Sequence, residues 1–439
     1  MLAVLANVTY RHLFLAQVIA LIGTGLATVA LGLLAYDLAG ENAGAVLGTA
    51  LAIKMIAYVG VAPIASAFTE RLPRRAMLIS LDLVRAAVAL LLPFVTEIWQ
   101  IYILIFVLQS ASAAFTPTFQ ATIPDILPDE KEYTRALSLS RLAYDLESVA
   151  SPLLAAALLT VMSFNNLFAG TVIGFIGSAL LVMSVRLPSP KPAAPRGIYD
   201  RTTRGLRIYL KTPRLQGLLA LTMAVSAAGS MVIVNTVVLV QAVYGLDQQA
   251  TAIALAAFGA GSMIAALSLP RLLDRYPDRP VMLLGATTLA VTMLVGTLLP
   301  NYGLLLALWV VIGIGYSATQ TPSGRLIRRS SNPVDRPALF AAQFALSHAT
   351  WLITYPLAGW LGATAGMPAT FLTMSGIALA GLLLAVRLWP ADDPTVIRHE
   401  HPDLPADHPH LQDAEKLPNG FVHAHEYVID AEHVAWPGR

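Results

Sequence analysis

Glu70-Arg71-Leu72-Pro73-Arg74-Arg75 returns later in the chain as Asp274-Arg275-Tyr276-Pro277-Asp278-Arg279. The acid, the first Arg, the Pro and the final Arg recur at one offset, 204 residues. Each phrase lies between long apolar segments. The charges therefore belong to loops, and the unit that is duplicated is a set of helices. A repeat of this length in so apolar a chain predicts two parallel halves in a membrane.

Working outward, hydrophobic residues make up 56% of the chain and charged residues 12%, against about 25% charged in a soluble domain. A hydrocarbon core is crossed by roughly 20 apolar residues per helix. Twelve such segments fit. They begin near Leu13, Ala43, Ala76, Gln100, Ala136 and Leu167, then near Leu215, Thr251, Pro280, Tyr302, Ala338 and Ala369. The expected architecture is an all-α membrane protein with six helices in 1–186 and six in 215–389. A linker, 187–214, joins the halves, and a tail, 390–439, follows them. The apolar run from Leu13 is long enough to remain as a helix, so no cleavable leader is expected.

The basic residues orient the bundle. Of 28 Lys and Arg, only Lys54, Arg85 and Arg141 lie at or within helices, and the short connections near Glu41, Glu97, Asn165, Asp247, Asn301 and Ala365 contain none. The positive-inside rule then places both termini in the cytoplasm, in an inner (plasma) membrane. The net charge of +2 gives no reason to expect nucleic acid, and a chain without cysteine has no disulfide and no thiolate metal site. The lipid bilayer, protons and a small cargo are the partners expected of a monomer.

Leu187-Pro188-Ser189-Pro190-Lys191-Pro192 opens the linker as a semi-rigid spacer. Tyr199 to Arg214 reads as a surface helix whose basic residues face anionic headgroups. After Trp389-Pro390 the chain turns polar, acidic and Pro-containing, which predicts a disordered cytoplasmic tail.

A charge near a helix end in a membrane requires a partner. Asp82 and Arg85 follow the first phrase by about two turns. With Glu70, Arg71, Arg74 and Arg75 they are expected to form a network that locks neighbouring helices in one state. Asp274, Arg275, Asp278 and Arg279 form its weaker counterpart. Solvated loop charges that only set topology are the plainer alternative.

Ser66-xxx-Glu70-Arg71-x-Pro73-Arg74-Arg75 resembles the loop signature G-xxx-D-R-x-G-R-R of the major facilitator superfamily, with Ser, Glu and Pro at three of its positions. Ile123-Pro124-Asp125-Ile126-Leu127-Pro128, Ala136-Leu137-Ser138 and Arg201 to Leu215 resemble its drug- and siderophore-exporter branch. The resemblance spans about residues 10 to 390. It implies two six-helix halves that rock about a central site. Exporters of this type often carry Gly-Pro-x-x-Gly-Gly in the fifth helix. Here Ser151-Pro152-Leu153-Leu154-Ala155-Ala156 keeps small residues but not the glycines.

Within the fifth helix, Arg141 and Asp145 share a face one turn apart. Ser140, Tyr144, Glu147 and Ser151 form an adjacent stripe. The expectation is that Asp145 is balanced by Arg141, and that Glu147, deeper, exchanges a proton or holds a cation. Lys54, near the middle of the second helix, requires a carboxylate, and Glu147 is the partner to test. The second half contributes neutral groups: Gln343, Ser347, His348, Trp351, Thr354 and Tyr355 follow one another at near-helical spacing. His348 reads either as a ligand or proton carrier or as a packing residue.

Seven of nine histidines fall in the last 41 residues, as His399/His401, His408/His410, His423/His425 and His433. Two residues apart, imidazoles diverge on a helix and converge on an extended chain. Neutral imidazole binds nickel, cobalt, zinc and copper, so weak multidentate capture of a divalent metal is expected, with a metal-free polar tail as the alternative. The tail, and the stretch Ser138 to Ser148, resemble His-tailed nickel-resistance exporters of the superfamily. That resemblance implies proton-coupled export of nickel or cobalt first, zinc next. Export of a drug or a metal chelate is the rival that suits Lys54. A membrane metal sensor without transport is the rival of another class. No phosphate-binding loop, nucleophile–base pair or catalytic metal triad points to an enzyme.

Overall fold

Polar side chains set several helix starts. Asp129 accepts from the Glu132 N–H at 2.9 Å, Asp247 from Ala250 at 2.9 Å, and Asn301 from Leu304 at 3.0 Å. Each satisfies an amide the helix cannot. Glu97 and Gln100 form a reciprocal capping box. Pro73 and Pro277, in the twin phrases, immediately precede helices. The computed structural model describes residues 2–39, 43–69, 72–188, 197–298, 301–401, 404–405, 408–411, 413–418, 420–430 and 432–437. Glu70, Arg71 and the linker stretch 189–196 lie outside the described residues.

The first half contains α1 (Val8–Ala39), α2 (Ala43–Thr69), α3 (Arg74–Leu91), α4 (Ile98–Ile126), α5 (Glu130–Leu159) and α6 (Leu167–Met183). Helix α7 (Ile198–Lys211) follows. The second half contains α8 (Pro213–Val237), α9 (Gln248–Leu273), α10 (Asp278–Gly296), α11 (Tyr302–Gln320), the short α12 (Ser323–Arg329), α13 (Arg336–Thr364) and α14 (Gly366–Leu388). Setting aside α7 and α12, twelve long helices remain, six per half.

Among the described residues, nine helices are long and apolar enough to cross a membrane, and α2 adds a shorter apolar run, Thr49–Ala65. The two long helices left over, α5 and α13, carry Arg141, Asp145 and Glu147, and Gln343 and His348. The halves meet through α2 on α13, α5 on α9, and α4 on α13. A helix walled by protein on several sides need not be apolar all round, so the interface position of α5 and α13 accounts for their polarity.

The described part of the first charged phrase (residues 72–75), the second phrase (residues 274–279), the start of α5, α12, the start of α13 and the tail gather at one end, here called the basic end. Helix α7 forms where the sequence predicts it, yet its residues are not reserved for headgroups. Arg204 forks onto Asp335 at 2.6 and 2.9 Å, and Tyr209, fully buried, donates to Gln343 Oε1 on α13. A β-carbon on Gly205 would lie 2.1 Å from the Ala338 carbonyl oxygen, so only glycine permits this crossing. Arg214 is also buried, 3.4 Å from Asp393 and 5.0 Å above the Trp436 ring centroid.

The tail departs from the expected disorder. Strands β1 (Val396–His401), β2 (Glu415–Leu417) and β3 (Gly420–Glu426) form an antiparallel sheet in the order β1-β3-β2. Leu411, Val422, Tyr427 and Ile429 are buried, and Tyr427 and Ile429 join one apolar cluster with Leu215, Leu218 and Trp389. The tail alone has too few apolar residues for a core. The membrane half supplies the rest. Lys211 Nζ donates to the Val434 carbonyl at 2.9 Å, and Trp389 Nε1 to Asp393 at 2.9 Å.

Candidate functional site

Two ion-pair triads close the basic end. In the first, Asp125 at the end of α4 takes Arg74 from the start of α3 with one oxygen and Arg336, from the start of α13, with the other. In the second, Arg325 of α12 lies 2.8 Å from Asp278 at the start of α10 and 2.6 Å from Glu130 at the start of α5. Its remaining nitrogen donates to Thr134 at 2.6 Å. Each triad joins two connections of one half to the first turn of the other half's fifth helix. Their signs are inverted: base–acid–base in one, acid–base–acid in the other. The helix dipole favours Glu130 at its N-terminus and opposes Arg336 at its own. The first triad therefore depends more on its central carboxylate.

Above the triads lies a cavity of about 380 Å³. Its walls come from α1, α2, α4, α5, α11, α12 and α13. Tyr58, Phe115, Phe119, Tyr144, Phe340 and Phe344 supply rings, and Gln17, Gln120, Gln320 and Gln343 supply amides. Arg141 is the cation in the wall, and no carboxylate lines it among the described residues. Arg141 binds Asp145 at 2.6 Å, reaches Ser262 of α9 at 3.0 Å, and lies 4.7 Å from the Tyr316 ring centroid. Among the described residues, the polar contacts between halves lie at or below this level, toward the basic end.

A family model of the Major Facilitator Superfamily matches residues 13–270 and, a second time, 219–404. The chain belongs to the major facilitator superfamily. Macrolide efflux protein A of Enterococcus faecalis is 26% identical over 152 residues, covering 32% of this chain and 47% of that protein. Multidrug efflux pump Tap of Mycobacterium tuberculosis (strain ATCC 25618 / H37Rv) is 26% identical over 296 residues, covering 64% of this chain and 69% of the pump. The chain thus spans about half the length of the first of these relatives. Among solved structures, the human organic anion transporter MFSD10 (TETRAN) superposes with a TM-score of 0.75 at 13% identity, over 86% of this chain and 98% of that one. That likeness is one of fold.

Within this superfamily frame the predicted residues separate into groups. Asp82 and Arg85 do bond each other, but inside the first half. Ser178 of α6 donates to Asp82 at 2.7 Å, and the Arg85 guanidinium lies 4.0 Å from the Phe115 centroid and 4.5 Å from that of Phe175. They are a structural pair of α3, α4 and α6 and not a lock between halves. Arg75 donates to the Met183 carbonyl, and Arg279 to that of Trp389 at 3.0 Å. Asp274 and Arg275 are exposed.

Glu147 and Lys54 lie within electrostatic reach of each other. Gly25 of α1 makes room for that carboxylate. A β-carbon there would fall 2.2 Å from Ser151 Oγ and 2.4 Å from Glu147 Oε1, whereas at Gly32 nothing lies within 4 Å. Overpacking of this kind costs about 1–3 kcal/mol. Gly25→Ala is expected to lower the thermal midpoint in detergent by several degrees, and Gly32→Ala to leave it unchanged. Equal midpoints for the two variants would refute the close approach.

His348 is held by its own helix, Nδ1 lying 2.7 Å from the Phe344 carbonyl, with Tyr58 at 4.7 Å ring to ring. This fits the packing role, with its other edge on the cavity. Gln343 lines the cavity and anchors Tyr209. Tyr355 lies tilted against Trp351, ring centroids 4.9 Å apart, outside the cavity wall.

Six tail histidines, 399, 401, 410, 423, 425 and 433, form one cluster, with His408 at its margin. Burial, helped by neighbouring imidazoles, pushes His401 and His423 down to about 4. Sequence reasoning missed Tyr58, which donates to Gln109 at 2.9 Å and faces both Phe344 and His348. It also missed Arg325, Arg336 and Glu130 as latch residues. The only signal was their place at the edges of the fifth-helix equivalents.

Proposed function

We propose that this chain is an exporter that works by alternating access, moving a neutral or anionic organic molecule out of the cytoplasm against proton entry. The carrying observation is the cavity wall, built of rings, amides and Arg141 without a carboxylate. Such a wall suits a drug-sized molecule with a few polar groups. A bare divalent ion is best held by several carboxylates or imidazoles, and among the described residues the wall offers no carboxylate and a single imidazole, His348. The efflux activity named for the enterococcal and mycobacterial relatives supports the same reading. The basic end then faces the cytoplasm of the inner membrane, as the positive-inside rule requires. Glu147 carries the proton, and Lys54 alternates between it and the cavity.

One observation favours a second cargo. The histidine cluster at the basic end, with the resemblance to nickel-resistance exporters, supports export of nickel or cobalt first and zinc next, free or as an anionic chelate. Proteoliposomes with an imposed pH gradient separate the two. A neutral drug-sized compound or an anionic dye is expected to move when the gradient is imposed, and free nickel is not. Gradient-driven nickel movement with no organic movement would reverse the assignment.

A further inference from the structure

The strand period explains the histidine cluster. His399 and His401 alternate onto one face of β1, and His423 and His425 onto one face of β3. The register pairs His399 with His423. His410, from the turn Pro409–Leu411, and His433, after β3, close over that face with ring centroids 4.7 to 5.2 Å from their neighbours.

Three rings have their inner nitrogen already engaged. Nδ1 lies 2.9 Å from the Ile397 carbonyl for His399, 2.7 Å from that of Glu426 for His425, and 2.8 Å from Asp430 Oδ1 for His433. These oxygens only accept, so for neutral rings each Nδ1 carries the hydrogen and each Nε2 presents a lone pair. The Nε2 atoms of His399 and His433 stand 3.0 Å apart, lone pair against lone pair. Nε2 of His401, His410, His423 and His425 is buried without a hydrogen-bond partner. So many unpartnered ring nitrogens, converging in a small space, suit a cation. Zinc–nitrogen bonds of about 2.0–2.1 Å put neighbouring ligands about 3.3 Å apart in a tetrahedron. Two overlapping sets meet this need, His399/His410/His423/His425 and His399/His401/His410/His433, each with ligand atoms within 4.8 Å.

We propose that the C-terminal module is a receptor for a divalent transition ion of the nickel, cobalt and zinc class, and that the bound ion clamps the module onto the loop entering α13. Imidazole-only donor sets suit these metals and disfavour magnesium and calcium. The link is Asp430. One of its oxygens orients His433, and the other accepts from Asn332 Nδ2 at 3.3 Å. Asn332 lies just before Asp335, the partner of Arg204, and Arg336 of the first triad. A ring–carboxylate–amide chain thus runs from the ion to the latch, whichever cargo uses the cavity.

Full-length protein without an affinity tag, stripped by chelator, is titrated calorimetrically with nickel, cobalt and zinc. His399→Ala, at a position shared by both sets, is expected to weaken binding more than 100-fold. Asp430→Ala is expected to weaken it about 10–100-fold, as for other ligand-orienting carboxylates. His408→Ala is expected to stay within threefold of wild type. Equal losses for His399→Ala and His408→Ala, or no binding by wild type, overturn the receptor. Hydrogen exchange tests the clamp. Added metal is expected to slow amides 330–337 in wild type but not in Asp430→Ala, and unchanged exchange there with the ion bound overturns it.

Discussion

Asp125→Ala is expected to open the basic end. The substitution removes the carboxylate that Arg74 and Arg336 share across the halves. Arg74 is only 2% exposed and Arg336 8%. Breaking a fully buried pair costs about 3–5 kcal/mol. The Asp125 side chain is 15% exposed, so about 2 kcal/mol is the reasonable share, or roughly a 30-fold shift toward the open state. The chain contains no cysteine, which makes a reporter simple. Ser140→Cys places one thiol in the cavity wall. Its labelling by a membrane-impermeant maleimide from the basic end should rise more than tenfold with Asp125→Ala. An unchanged rate in protein that still folds would remove the first triad from gating.

The second large effect concerns Glu147→Gln. The amide keeps the shape beside Gly25 and Ser151 but can neither take up a proton nor balance Lys54. Gradient-driven transport is expected to fall at least tenfold, while equilibrium binding of the organic probe stays within threefold. The cavity wall does not include Glu147, which is why binding and coupling should separate. If transport and binding decline together, Glu147 belongs to the cargo site and the assignment of the proton to it fails.

Much of the architecture was legible because apolar period and loop charge are local signals. The twin phrases marked the right loops. What they could not mark was the working position. Two of the recurring positions in the second copy, Asp274 and Arg275, are exposed, whereas Arg74 and Asp278, where the copies differ, carry the triads. A repeat is visible as sameness, and a latch made by inverting charge is hidden by it. Asp82 and Arg85 misled for a related reason. Proximity in sequence to the phrase suggested one network, but a helix turns them toward Ser178 and Phe175 instead. The tail misled through composition. Its imidazoles count as polar, and its core is completed by Leu215 and Trp389 from elsewhere in the chain.

The inverted signs of the two latches have a consequence for the membrane surface. One carries an excess positive charge and the other an excess negative one. An anionic leaflet, whose field decays over roughly 8 Å at physiological salt, attracts the first and repels the second. A change in lipid charge therefore acts on the two triads in opposite senses, so the sum of its effects is smaller than either alone. The closed face is in this sense compensated against its surroundings, in the way two springs wound in opposite directions hold a balance wheel steady.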